Sequence, residues 1–586
     1  MKGLVDTDMN TAIDTHLSDA LMGWFQCREE WFRQSVMALS EALREGHACL
    51  ALAEARERSG VFPPLAEWQR MLDELGTAPD DQAPLVLETG RLYLRRYWRF
   101  ETQLAQMIQQ RLEPTVPSDM TAASEAFRAL FSDASQALDW QAVAAANALF
   151  QRFSVVAGGP GTGKTRTVTR LLALLSETLK SEEAPLSIAM AAPTGKAAQR
   201  LAESMHGALE NLPDALRERT RAVMPAQATT LHRLLGVIPG RIGFRHDQKK
   251  PLKLDVLLVD EASMIDLPLM TRLFRALPAH ARVILLGDPN QLPSVAAGSV
   301  LSDLAADGGE AFSPIRCDQL RALGAVAPEP AQGARDYVTV LQHSYRFHSE
   351  GGIGRLAQQV LSGRSEQSLE TLQQNQQGVH WLEQVDLTGY VSRWFERWYG
   401  PITQARTLRE AFDALAAFRV LCATRVGPRG SVALNEAFQS LINPAGAPIY
   451  AGQPIMITEN HYGLGLFNGD IGLIWPDGTG DDASLFAWFP EGSEGFRPMA
   501  PARLPAHETV YAMTIHKTQG SEFDHVALVL PEQGSQVLSR ELLYTGLTRG
   551  RESVTVMGTG SVWNAGVQQS VSRASGLGSR IMSRSE

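Results

Sequence analysis

The sequence predicts an α/β protein: two parallel-sheet domains in tandem, a helical domain before them, and a small β module inserted in the second. The first observation behind this is an alternation of short β-branched runs with helical stretches. The runs are "FSVVAG", "SIAMAAP", "VLLVDEAS" and "ARVILLGD", then "RVLCATR", "HVALVLP" and "SVTVMG", and a break between about 300 and 345 divides them into two sets. The second is the helical spacing of apolar residues near the start, as in "WFRQSVMALSEALREGHACLALAE". The third is a change of style between 448 and 510, where "PIMITENHYGLGLFNGDIGLIWPDGTG" combines glycines with strand-like runs.

In chain order, residues 1–115 form the helical domain. "GVFPP" and "GTAPDDQAP" interrupt its helices, and "LEPTVPSD" at 112–119 reads as a linker. Residues 116–345 form the first α/β domain, with an insertion at about 236–255, and 346–586 form the second. The 586 residues suffice for three or four domains of about 150 residues each. A hydrophobic content of 44% and a charged content of 20% predict ordinary buried cores. No run of 18 apolar residues exists, and the opening "MKGLVDTDMNTAID" has no apolar signal region. The expectation is therefore a chain that neither spans a membrane nor is secreted. Cys27, Cys49, Cys317 and Cys422 are far apart and form no CxxC pair. That disfavours a zinc or iron–sulfur site and fits a reducing cytosol. Net charge is −10, and at least half of the excess lies in residues 1–113. Any nucleic-acid binding must then come from a local basic track or from partners, not from a global field.

Gly158 to Thr165, "GGPGTGKT", fits G-x-x-x-x-G-K-[ST] between a strand and a helix. The turn consists of Gly158, Gly159, Pro160, Gly161, Thr162 and Gly163. Its backbone N–H groups and those of the helix start, through Arg166, can surround phosphate oxygens. Lys164 adds positive charge and Thr165 offers a hydroxyl to Mg²⁺. "VLLVDEAS" then places Asp260 and Glu261 at a strand end, one to hold Mg²⁺ and the other to activate water. These residues predict a site that binds and hydrolyses a nucleoside triphosphate. Gln291 in "VILLGDPNQLPSV", with Asp288 nearby, is placed to reach the γ-phosphate. Arg346 in "QHSYRF", and Arg549 and Arg551 in "LLYTGLTRGRE", are candidates for a fixed guanidinium opposite the P-loop.

The ordered series "GGPGTGKT", "APTGKAAQRL", "TTLHRLLG", "LLVDEASMID", "LLGDPNQLPSV", "QHSYRF", "TIHKTQGSEFD" and "LYTGLTRGR" resembles the motif set of superfamily 1 helicases over about 140 to 551. "DEASMID" and "APTGKAA", with "LSEALREGHACLALAE" and "LGLFNGDIGLI", are similar to its 5′→3′ branch, in particular to the RecD family of exodeoxyribonuclease V α subunits. The resemblance implies two RecA-like motor domains and an SH3-like β-barrel for the inserted module. It implies ATP and Mg²⁺ as ligands, with Gln141 reading adenine and Glu522 contacting ribose. Thr165 and Asp260 would hold Mg²⁺, while Lys164, Glu261, Gln291, Arg346 and Arg549 would carry the chemistry.

Single strands are held by phosphate contacts, hydroxyls, helix N-termini and a few rings. Thr194, Gly195 and Lys196 offer such groups at one helix start, Thr230 and His232 at another, and Thr514, His516 and Lys517 in the second α/β domain. Outside the resemblance, His232 reads as a packed or capping histidine and Lys196 as a solvated lysine. "GVIPGRIGFRHDQKKPLKLD" at 236–255 suggests a projecting hairpin, either a strand-separating pin, as the resemblance implies, or a solvated loop.

The expected function is an ATP-driven 5′→3′ DNA helicase subunit that unwinds DNA ends for double-strand break repair and homologous recombination. Its partners would be single-stranded DNA, duplex ends, and RecB-like and RecC-like subunits in a heterotrimer in the bacterial cytosol at the nucleoid. The acidic N-terminal region would dock those subunits and not DNA, since acidic surface repels phosphate. A nuclease cluster is not evident beyond the ATPase acids, and the resemblance places that activity in the RecB-like subunit. Two alternatives stand: a self-sufficient RecD-like helicase, and a P-loop ATP switch that organises partners without translocating.

Overall fold

The structure, a computed structural model, describes residues 11–583 except 133–136, 180–185, 239, 242, 307, 348–350, 376–377, 384–385, 479–483 and 492–494. Small parts of the expected hairpin and of the β module therefore lie outside the described residues.

The N-terminal domain packs helices Ala12–Phe25, Glu30–Arg44, Leu52–Arg58 and Leu65–Glu74 around Phe32, Val36, Leu39, Trp68 and Leu72, all fully buried. Trp68 satisfies its indole N–H on Ser35 Oγ at 2.9 Å. The domain also holds a small sheet that the helical reading missed: β1 (Leu50–Ala51), β2 (Leu85–Glu88) and β3 (Arg91–Leu94), in the order β1-β3-β2. The β2–β3 hairpin turns at Thr89 and Gly90, both at positive φ (48° and 72°). A two-residue turn with both φ positive matches strand twist. Its signal is only "TG" between two short apolar runs, in a stretch dominated by helical spacing.

The first motor domain is a six-stranded parallel sheet in the order β6-β5-β7-β8-β4-β9. The strands are β4 (Phe153–Gly158), β5 (Ile188–Ala192), β6 (Thr229–Thr230), β7 (Val256–Val259), β8 (Arg282–Gly287) and β9 (Val338–Leu341). The central strands β4, β7 and β8 are buried throughout, as their continuous apolar runs require when helices cover both faces. The second motor domain is also parallel, ordered β10-β19-β18-β11-β17. Its strands are β10 (Val379–Glu383), β11 (Phe418–Cys422), β17 (Ala512–Thr514), β18 (Phe523–Val529) and β19 (Gly550–Gly558).

Between β11 and β17 lies the inserted module, a five-stranded antiparallel sheet. It comprises β12 (Pro454–Ile457), β13 (Ile471–Asp477), β14 (Ser484–Glu491), β15 (Gly495–Met499) and β16 (His507–Thr509). Four strands form a meander, and the fifth follows a 3₁₀ turn at Pro501–Arg503 to pair with the first. The change of style between 448 and 510 therefore marks a separate antiparallel sheet. Its own core is Ile455, Ile457, Ile474, Ala487 and Phe489.

Two packing arrangements cross the domain limits read from the sequence. Helix Arg95–Gln109 precedes the linker, yet Phe100, Leu104 and Ile108 enter the core of the first motor domain beside Met270 and Phe274. The chain end then returns from the second motor domain, and Leu577 and Ile581 join that same core. The buried Glu101 carboxylate fastens the return. It accepts hydrogen bonds from Ser575 Oγ at 2.8 Å, the Gly576 N–H at 3.1 Å and Tyr93 OH at 3.1 Å. Of the 236–255 segment, Val237 bridges Phe244 as the base of a hairpin, while Leu252 and Leu254 turn back and are buried.

Leu104 is fully buried at this junction. Leu104→Ala removes its packing and leaves a cavity, costing about 2–5 kcal/mol. The expected outcome in thermal unfolding is a lowered midpoint for the transition in which ATP binding is lost. A shift confined to a separate N-terminal transition would place the helix outside the motor core.

Candidate nucleotide site and nucleic-acid interface

β4 leads into the glycine turn, and helix Lys164–Thr178 leaves it. Gly161 and Gly163 have φ of 78° and 82°, a backbone that favours glycine. A Cβ on Gly163 would also fall on Gln141 Nε2, and one on Gly161 on the Cβ of Arg346. Gln141 is buried, and its side-chain amide donates to the Thr162 carbonyl at 3.0 Å, so it props the turn. Thr162 Oγ1 donates to the Gly159 carbonyl at 2.8 Å. Lys164 Nζ lies across the turn, donating to the carbonyls of Gly158 (2.7 Å) and Gly159 (3.1 Å). Arg166 is exposed on the helix and does not line the cleft.

That cleft holds about 540 Å³ and draws its walls from both motor domains. The first contributes Gly161 to Thr165, Asp260, Glu261, Asp288 and Gln291; the second contributes Glu522, Arg549 and Arg551; Arg346 comes from the connection between them. Residues separated by nearly 400 positions in the sequence thus face one space. Glu261 follows β7 with φ at 51°, a left-handed backbone that costs about 1–3 kcal/mol in a non-glycine residue and concentrates at functional sites. Burial, reinforced by the neighbouring Glu261 charge and opposed by Lys164, pushes Asp260 up to about 7. That carboxylate and the Thr165 hydroxyl line the same cleft and offer hard-oxygen donors that fit Mg²⁺. Gln291 Nε2 donates to Asp288 at 3.2 Å, while its buried Oε1 has no partner among the described residues.

The arginines are held firmly. Arg549 is buried, donating through Nε to the Thr545 carbonyl and through Nη1 to the Ser521 carbonyl, each at 3.1 Å. Arg346 pairs with Glu522 at 2.6 Å, and Arg551 reaches the same carboxylate at 3.3 Å. Burial pushes the Glu522 carboxyl up, but the Arg346 charge and hydrogen bond, with Arg200 and Arg549, hold it below its ordinary value.

Three features escaped the sequence reading. Tyr544, in the "LLYTGL" helix of the second domain, donates to Asp288 Oδ2 at 2.9 Å. Its hydroxyl lies only 2.9 Å from where a Cβ on Gly159 would sit. Arg200 lines the cleft from helix Gly195–Leu209. The "QHSYRF" segment lies on the P-loop itself: Ser344 Oγ donates to the Pro160 carbonyl at 3.1 Å and the Tyr345 N–H to the Gly161 carbonyl at 2.9 Å. The quoted motifs contained all three, but spacing along the chain does not reveal which side chain turns toward the loop.

The nucleic-acid candidates gather at the strand ends of β5, β6 and β17, and β6 and β17 are edge strands of their sheets. Thr194 and Thr230 cap the helices that follow, accepting from Ala197 N and Arg233 N, both at 3.2 Å. His516 and Lys517 lie in the 3₁₀ turn Ile515–Thr518 that follows Thr514. A Cβ on Gly520 would lie 3.5 Å from Ala197 Cβ, so the two edges adjoin. Phe467 of the β module packs on Gly195, 3.1 Å from an added Cβ. Lys196 is half-buried, and burial, then Arg200 and Arg419, push its pKa down to about 7. Lys517 pairs with Glu508 at 2.7 Å. His232 sits edge-on to Phe244, 5.9 Å between ring centres.

The AAA domain family matches residues 141–297, and the UvrD-like helicase C-terminal domain family matches residues 509–557. RecBCD enzyme subunit RecD of Haemophilus influenzae is 35% identical over 90% of this chain and 86% of its own length. RecBCD enzyme subunit RecD of Mycobacterium tuberculosis is 36% identical over 97% of this chain and 94% of its own. The ATP-dependent RecD2 DNA helicase of Deinococcus radiodurans is 32% identical over 87% of this chain and 62% of its own.

Tyr544→Phe keeps the ring and removes the donor to Asp288. A buried carboxylate left short of a donor costs about 1–3 kcal/mol, here borne by the closed cleft. Steady-state ATP turnover should fall roughly ten-fold, by the conversion of about 1.4 kcal/mol per decade. Unchanged turnover would show that this hydrogen bond is dispensable to the active arrangement.

Proposed function

The chain belongs to the RecD family, and from that premise we propose that it is the ATP-driven 5′→3′ DNA helicase subunit of a RecBCD-type helicase–nuclease. It would unwind DNA ends for double-strand break repair and homologous recombination. The observation that carries this reading is the cleft itself: the P-loop and acids of one motor domain face fixed arginines of the other. Such a cleft couples the state of the nucleotide to the spacing of the two domains.

In this reading the P-loop amides and Lys164 hold the phosphates of ATP. Gln141 meets the adenine and Glu522 the ribose. Thr165 and Asp260 hold Mg²⁺, which neutralises phosphate charge when bound. Glu261 accepts the proton of the attacking water, and the free acceptor of Gln291 orients that water. Arg549, fixed by two carbonyls, meets the charge that develops on the γ-phosphoryl group. Arg346 now pairs with Glu522, so it exchanges that carboxylate for phosphate as the site engages. Tyr544 and Arg200 position the opposing walls.

The single strand lies along the joined edges of the two sheets, over Thr194, Gly195, Lys196, Thr230 and His232, then Thr514, His516 and Lys517. The hairpin whose base is Val237 and Phe244 stands beside that edge. RecB-like and RecC-like subunits dock on the acidic N-terminal helices and supply the nuclease. The RecD2 helicase keeps a self-sufficient motor in view, but the RecD subunits match more of both chains.

Glu261→Gln should trap ATP and DNA together, since it removes the base and keeps size. Lys164→Gln should fail to bind the phosphates productively. Single-turnover hydrolysis at saturating DNA is expected to be lost in both, with DNA retention raised only in Glu261→Gln. Hydrolysis in either variant near the wild-type rate would overturn the assignment, and an ATPase indifferent to DNA in the wild type would favour a switch over a motor.

Purification of the tagged full chain from its host, with mass spectrometry of what co-elutes, tests the subunit reading. RecB-like and RecC-like chains in equal amounts are expected. A chain that unwinds 5′-tailed duplex while eluting alone would make it a self-sufficient helicase.

A further inference from the structure

A cationic cleft lies apart from this machinery, where the N-terminal domain meets the first motor domain. It holds about 420 Å³ and is lined by Trp24, Arg95, Arg96, Arg99, Phe100 and Arg275, among others. Such a concentration of guanidinium groups is out of character for a region with an acidic excess. Arg95 serves the fold, donating to the carbonyls of Pro79 at 2.9 Å and Ala78 at 3.2 Å. Arg96 and Arg99 are exposed. Arg96 and Arg275 both lie over the Phe100 ring, each 5.6 Å from its centre. Arg275 is further held by Gln103 Oε1, 3.0 Å from its Nε. Among the described residues, no carboxylate lies within ion-pair distance of Arg96, Arg99, Arg272 or Arg275, while Asp81 acts on Arg95 from farther off. Trp24 on the rim is 57% exposed, unusual for so large a ring.

This cleft is continuous with the motif edge. Arg275 lies one helical turn from Arg272 on helix Leu267–Arg275. Arg272 lies over Phe244, 5.8 Å from the ring centre. Phe244 in turn meets His232. From His232 to Trp24, rings and guanidiniums follow one another, with Asp266 acting on His232 at one end and Asp81 on Arg95 at the other.

We propose that this track binds single-stranded nucleic acid and carries it from the motor edge at His232 onto the N-terminal domain, with Arg272, Arg275, Arg96 and Arg99 on phosphates and Trp24 stacked on a base. The proposal rests on the helicase reading above. A positive groove combined with stacking rings is the general solution for holding single strands without sequence preference. An acidic peptide would also satisfy the arginines, but it would need neither the exposed indole nor the continuity with His232. The proposal departs from the expectation that the N-terminal region docks subunits and not DNA.

The test uses the full chain and two oligothymidylates, of about 8 and about 20 nucleotides, the shorter covering the motor edge alone. Wild type should bind the longer strand more tightly. Arg96→Ala/Arg99→Ala should lose that advantage and weaken the longer strand about ten-fold. The slope of log K against log salt should fall by about 1.4, because two phosphates of the single strand keep their counterions. Trp24→Ala should weaken the longer strand selectively, and Lys196→Ala should weaken both lengths. An Arg96→Ala/Arg99→Ala affinity for the longer strand equal to wild type overturns the proposal. So does loss of partner subunits with strand binding intact, which would make the cleft a protein-docking site. Failure of wild type to bind either strand overturns the helicase reading itself.

Discussion

The hydrogen bond from Tyr544 to Asp288 joins the two motor domains at the bottom of the nucleotide cleft. Both groups are buried, and burial raises the pKa of each, so the phenol keeps its proton and donates. The bond brings the "LLYTGLTRGR" helix against Gly159, where only a glycine leaves room for the hydroxyl. Arg549, five residues on from Tyr544, is thereby set facing the P-loop. Around this contact Leu292 is gripped twice: its N–H donates to Thr545 Oγ1 at 3.0 Å, and its carbonyl accepts from Gln519 at 2.9 Å. A motif residue of the first domain is thus held by two motifs of the second.

The charges in the cleft follow from the same closeness. Asp260, Glu261 and Asp288 lie near one lysine, while Arg346, Arg549, Arg551 and Arg200 share mainly Glu522. Arg551 also pairs with Asp524 of its own domain at 3.5 Å. In the proposed function an anionic phosphate chain between the two would relieve the cationic wall, and a divalent cation the acidic one. This would let nucleotide state bias the closure of the two domains.

The N-terminal domain and the chain end add a second coupling. Helix Arg95–Gln109 shares the core of the first motor domain, and Leu577 and Ile581 bring the last helix onto it. A chain that leaves the second motor domain and is anchored on the first by Glu101 limits how far the two can separate. The same helix turns Arg96 and Arg99 outward, so the element that locks into the motor also builds the cationic cleft.

Local chemistry made much of the protein legible from its residues alone. The glycine turn needs Gly161 and Gly163 for their backbone, and that requirement is visible in one dimension. Apolar runs such as "VLLVD" and "RVILLGD", set between helical stretches, read as strands buried on both faces, and they are β7 and β8. Asp260 and Glu261 at the end of such a run line the cleft. Other features depended on packing between distant residues. The β2–β3 hairpin hid in a helical context, and helix Arg95–Gln109 lies before the linker yet belongs to the core beyond it. Tyr544 and Arg200 stood inside quoted motifs, but a side chain's direction is decided by packing, not by spacing. The cleft at Trp24 needed residues 24, 96, 99 and 275 to meet. Short-range propensity governs turns and strands, whereas a site shared by two domains exists only once burial of their separate cores has brought the surfaces together.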